Sequence, residues 1–127
     1  MRQVATALIA ITWLAFCAAD SVRAQPGTVS VGFKNQTNID VYVQGTTIVN
    51  GVPARGSNIF VPKSSGMAFE SNVPANHVRF YTVFDANRRI LLKDSPTQIQ
   101  TRDAFFSIMT LSANPPRVIL TPSQPMP

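Results

Sequence analysis

The stretch Phe80–Asp94, FYTVFDANRRILLKD, places two apolar runs on either side of Asp85-Ala86-Asn87-Arg88-Arg89. Just upstream and into the first run, Val78, Phe80, Thr82 and Phe84 alternate with Arg79, Tyr81 and Val83. That period of two is the signature of a β-strand, whose successive side chains point to opposite faces. Ile90 to Lys93 reads as its partner, ended by Pro96. Asp and Asn favour turns because their side chains bond nearby backbone. The stretch is therefore a β-hairpin with a basic tip. Phe80 and Phe84 are expected to face the core, and Tyr81 to face outward.

The same pattern extends in both directions. Val29, Val31 and Phe33 alternate with Ser30 and Gly32, and Ile39, Val41 and Val43 with Asp40, Tyr42 and Gln44. A kink is expected at Gly45. Asn50-Gly51 is a strong hairpin signal, since both central residues of a type I′ turn need positive φ. Pro53 follows soon after and lacks an N–H donor, so Gly45 to Ile59 reads as an edge or loop. Further strands are expected at Ile59–Val61, Met67–Glu70, Ala104–Leu111 and Arg117–Thr121. No segment after the N-terminal region reads as a helix.

About seven or eight short strands punctuated by Gly, Pro, Asn and Ser predict an all-β domain. The expected architecture is a two-sheet antiparallel β-sandwich, with a small β-barrel as the alternative. Phe33, Phe60, Phe69, Phe80, Phe84, Phe105 and Phe106 are expected to dominate its core.

The N-terminus sets the compartment. Arg2 precedes the apolar run Val4–Ala19, and Val22-Arg23-Ala24 offers small residues before Gln25. This is the pattern of a secretory signal peptide, residues 1–24. The run is shorter than the ~20 residues of a membrane span, which leaves an uncleaved anchor as the alternative. Processing would leave a domain at 25–121 and a flexible Pro-rich tail at 122–127. The expected location is secreted, periplasmic or at the cell surface, with no membrane span in the mature chain.

Cys17 is the only cysteine and falls in the signal. The mature chain thus excludes disulfides, thiolate catalysis and cysteine metal sites. Removing residues 1–24 also removes Arg2, Arg23 and Asp20. The net charge then falls from +5 to +4, with nine basic and five acidic side chains left. A charge of that size permits an anionic partner and also serves solubility.

Val31-Gly-Phe-Lys-Asn-Gln-Thr-Asn-Ile-Asp-Val-Tyr-Val43, followed by Val61-Pro-Lys-Ser-Ser-Gly66, resembles the opening of many small exported bacterial β-sandwich proteins of unknown function. Those often read strand, Asn-x-Thr turn, strand, then a Pro–Gly turn. The resemblance implies fold and export, and it carries no residue role.

Little of the chain suggests catalysis. His77 is the only histidine, and the mature acids Asp40, Glu70, Asp85, Asp94 and Asp103 are scattered. A histidine base needs a nucleophile and an orienting carboxylate, so a hydrolase built on His77 is the weakest reading. One histidine and no cysteine do not make a zinc site. Asp85 and Asn87 have calcium-ligand spacing, but two arginines follow. No phosphate or dinucleotide glycine loop occurs. The expectation is a non-enzyme without cofactor or metal. Asn35-Gln36-Thr37 matches a glycan acceptor, or is simply a turn.

The remaining candidate is the basic hairpin. Arg79, Arg88, Arg89 and Lys93 are expected to form a patch for an anionic glycan or surface. The competing reading is a charged tip that discourages edge pairing. Tyr42 and Tyr81 are thin support for nucleic acid, which export also disfavours. A protein partner docked at a strand edge is the alternative function.

Overall fold

The computed structural model describes residues 27–123, so the expected signal peptide and residues 124–127 lie outside it. Nine strands run in chain order: β1 (Thr28–Asn35), β2 (Val41–Val49), β3 (Val52–Arg55), β4 (Ile59–Val61), β5 (Gly66–Pro74), β6 (His77–Asp85), β7 (Ile90–Ile99), β8 (Ala104–Ala113) and β9 (Pro116–Pro122). They form a four-stranded sheet, β5-β1-β8-β9, and a five-stranded sheet, β3-β2-β6-β7, in which β4 also pairs β2. The described residues contain no helix and no closed barrel. All pairings are antiparallel except β1 with β8, which is parallel.

The core lies between the sheets. Val31, Phe33 and Ile108 from one sheet and Val41, Val43, Tyr81, Val83 and Ile99 from the other are fully or almost fully buried. Phe33 packs edge-on against Tyr81 at 5.2 Å and stacks on Phe106 at 6.3 Å. The expected phenylalanine core is thus reduced to Phe33 and Phe106. Phe60 is 46% and Phe69 55% exposed, while Phe80, Phe84 and Phe105 are half-buried.

The alternation in β6 is as expected, but its faces are reversed. Arg79, Tyr81 and Val83 point inward, and Val78, Phe80 and Phe84 lie on the outer face. The reversal is possible because Arg79 and Tyr81 find a carboxylate inside. On the other sheet Phe69 and Phe105 pack edge-to-face at 6.2 Å over Gly32. A Cβ at Gly32 would come within 2.8 Å of both rings, so the glycine lets them cover the strand.

Two further expectations change. β2 runs unbroken through Gly45, whose missing Cβ makes room for Arg79 and Tyr81. β7 runs through Pro96, which is tolerated because β7 is an edge strand. Asn50 and Gly51 take φ of 52° and 77° and close the β2–β3 hairpin as expected. β3 and β4 lie at the sheet edge, whereas residues 45–49 belong to central β2.

The two turns quoted for the resemblance are one unit. Asn35 is fully buried; its Nδ2 donates to the Ile39 and Val61 carbonyls, and its Oδ1 accepts from the Thr37 N–H and hydroxyl. Ser64 and Ser65 N–H groups donate to the Thr37 and Asn35 carbonyls. The Asn35 amide is therefore a structural brace where the chain crosses between sheets, with no free face to carry a glycan.

Candidate anion-binding surface

The β6–β7 turn is built by Asp85. Its Oδ1 accepts the N–H groups of Asn87 (2.9 Å) and Arg89 (2.8 Å), satisfying backbone the turn leaves unpaired. The Arg88 N–H donates to the Asp85 carbonyl, and the Asp85 N–H to the Arg89 carbonyl. This geometry puts Arg88 at φ 63°. The other non-glycine residues at positive φ are Asn, Ser or Asp, so Arg88 is the one long side chain among them. Left-handed backbone costs such a residue about 1–2 kcal/mol.

The four expected site residues separate into three places. Arg88 stands exposed at the tip and has no ion pair among the described residues. The Arg89 Nε lies 3.7 Å from the Asp85 carboxylate, and its side chain is 60% exposed. An exposed contact that long leaves the guanidinium largely available. Lys93 is exposed in β7, beside a break in the β6–β7 register where Asp94 takes φ 47°.

Arg89 and Lys93 share a groove of about 420 Å³ where β7 meets the β8–β9 hairpin. The third cation in that groove is Arg117, on the opposite sheet. Leu92, Leu111 and Pro115 contribute apolar surface, and no carboxylate lines it. Ile90 and Leu111 at its rim are 47% and 60% exposed. Sequence order could not supply Arg117, because it approaches only when the two sheets are stacked.

Arg79 leaves the patch altogether. It is 4% exposed and lies between the sheets, donating through Nη2 and Nε to Glu70 of β5 at 2.6 and 3.2 Å and through Nη1 to Thr47 at 2.7 Å. The Tyr81 hydroxyl donates to the same carboxylate at 2.9 Å. Burial first, then the Glu70 charge and hydrogen bond, raise the Tyr81 pKa far above its ordinary range. Gly56 is close by: a Cβ there would come within 2.7 Å of Arg79 and 2.8 Å of Glu70. The network satisfies itself, so its carboxylate and guanidinium are spent on each other.

His77 opens β6 and its Nδ1 lies 2.7 Å from the Ala75 carbonyl. No carboxylate among the described residues bonds it. Asp40 and Asp103 accept backbone N–H groups of Lys63 and Ser30, and Asp94 bonds Thr82. The acids are therefore held in turns, bulges and the interior pair.

No family model and no curated protein matches the chain. Solved structures do match. One is a protein from Eubacterium rectale determined by NMR, with 14% identity and a TM-score of 0.53 over 80% of this chain and 98% of that one. At that identity the likeness speaks to the all-β fold alone.

Proposed function

We propose that the protein is an exported, non-enzymatic β-sandwich module that binds an anionic surface ligand in the groove between β7 and the β8–β9 hairpin. One observation carries the reading: Arg89, Lys93 and Arg117 line one groove together with apolar side chains, and no carboxylate is among the lining residues. The three cations raise the local potential, Arg89 alone having an acid near it, Asp85 at 3.7 Å, and both guanidiniums can hold an oxyanion bidentately. The exposed Ile90 and Leu111 suit a ligand that also carries apolar surface, such as a lipid headgroup region. Export rests on the signal-peptide pattern of residues 1–24.

Pairing through a strand edge draws less support. β3 carries Pro53, β7 carries Pro96, β9 carries Pro116 and Pro122, and β5 holds a register break with Asn72 at φ 58°. Prolines and bulges on edges oppose further strand addition.

The test is binding of the purified protein to anionic vesicles, neutral vesicles and acidic polysaccharides over a salt series, with Arg89→Ala/Lys93→Ala alongside. The reading expects anion-selective binding that weakens with salt and is lost in the double variant. Equal binding by that variant, or none by the wild type, removes it.

A further inference from the structure

On the outer face of the five-stranded sheet, four residues stand directly opposite one another on neighbouring strands. Tyr42 of β2 faces Phe60 of β4 on one side and Phe84 of β6 on the other, and Phe84 faces Ile90 of β7. Tyr42 and Phe60 are 5.3 Å apart with their rings tilted by 49°. None of these side chains belongs to the core.

A pocket of about 300 Å³ opens against this row, lined by Tyr42, Asn58, Phe84, Asp85, Ala86 and Arg88. That volume is at the low end for small-molecule sites. The Asp85 Oδ1 is taken by the turn N–H groups, and its Oδ2, with only the 3.7 Å contact to Arg89, is left to accept a ligand hydroxyl. Arg88 has no ion pair among the described residues, and it holds its place at positive φ, where glycine or asparagine would sit with less strain. Non-glycine residues held in left-handed backbone cluster at active sites and ligand clamps.

We propose that this pocket binds a single carboxylated sugar ring, a hexuronate or the uronic end of a glycan. The Tyr42 and Phe84 rings offer apolar faces to the C–H surface of a pyranose. Arg88 supplies the fork that a carboxylate accepts. The Asn58 amide and Tyr42 phenol supply partners for ring hydroxyls. A simple aromatic acid would use the guanidinium and the rings but leave the amide and phenol idle. This site is separate from the β7–β9 groove, since Arg88 lines one and Arg89 the other.

The test is an amide-resolved NMR titration of the isotope-labelled protein with sodium glucuronate, glucose and benzoate as probes. Arg88→Asn, which suits the backbone, and Arg102→Gln, an exposed cation outside both this pocket and the groove, are titrated beside it. The expected result is saturable glucuronate shifts at Tyr42, Phe84, Ala86 and Arg88. Affinity should fall about tenfold or more in Arg88→Asn, the loss of a charged hydrogen-bond donor, and stay unchanged in Arg102→Gln. No saturable shift with glucuronate, equal affinity for glucose, tighter binding of benzoate, or full affinity in Arg88→Asn would overturn the proposal. Glucuronate binding that survives loss of groove binding separates this site from the groove.

Discussion

The Glu70 carboxylate and the Arg79 guanidinium meet at 2.6 Å across the interface between the two sheets. Glu70 is carried by β5 and Arg79 by β6, two strands joined only by the turn at Ala75-Asn76. Leaving one buried charge without its partner costs about 3–5 kcal/mol. Glu70→Leu and Arg79→Met should each lose that much in denaturant unfolding. The double variant should lose clearly less than the two together, because it strands no charge. A single variant within ~0.5 kcal/mol of wild type, the range usual for surface substitutions, would mean the pair is solvated.

Tyr81 gives the network a pH signature. Burial and the neighbouring carboxylate raise its pKa, so the fold favours the neutral phenol. The stability this gives is complete below the ordinary tyrosine value of about 10 and is lost as pH rises beyond it, when the unfolded chain ionises and the folded one does not. Wild type should lose about 1.4 kcal/mol per pH unit above that value, relative to Tyr81→Phe. At neutral pH the same substitution should cost about 1.5–3 kcal/mol for the hydrogen bond to a charged group. Parallel pH profiles for the two proteins would contradict the assignment.

Gly45 shapes the space in which Arg79 lies. A Cβ there would come within 2.7 Å of the Tyr81 ring and 2.8 Å of the Arg79 guanidinium carbon. Gly45→Ala should therefore destabilise by about 1–3 kcal/mol, although alanine suits a strand no worse than glycine. Pairing it with Arg79→Met should reduce the cost of the methyl. A neutral Gly45→Ala would show that Arg79 has room to move.

The strands were legible because their alternation and turn residues survive in one dimension. Asn50-Gly51, the β6–β7 turn and the strand periods fall where the sequence puts them. The choice of inward face was not legible in β6 or β5. Both strands place a charged residue inside and a phenylalanine outside, Arg79 against Phe80 and Glu70 against Phe69. Hydrophobicity read strand by strand favours the phenylalanines. Only the meeting of the two charges reverses it, and that meeting depends on sheet stacking. Gly45 and Gly56, two glycines that leave space against the same side chains, were the available hint. The candidate site was half legible for the same reason: Arg89 and Lys93 are close in sequence, but Arg117 arrives from the other sheet.

Arg88 is expected to trade stability for binding. Asparagine tolerates φ near 63° better than arginine, so Arg88→Asn should stabilise the protein by up to about 1 kcal/mol. Thermal unfolding of the two proteins checks this. A less stable Arg88→Asn would mean that the arginine side chain makes a stabilising contact in the turn.

The most direct measurement of the central claim uses the residue that folding adds to the groove. Binding of anionic vesicles by wild type and by Arg117→Gln should be compared across a salt series, with unfolding curves to confirm equal stability. Binding should be weaker and its salt dependence shallower in the variant, by the share of about one cation in three. Identical affinity and salt dependence would show that the three cations do not act as one site.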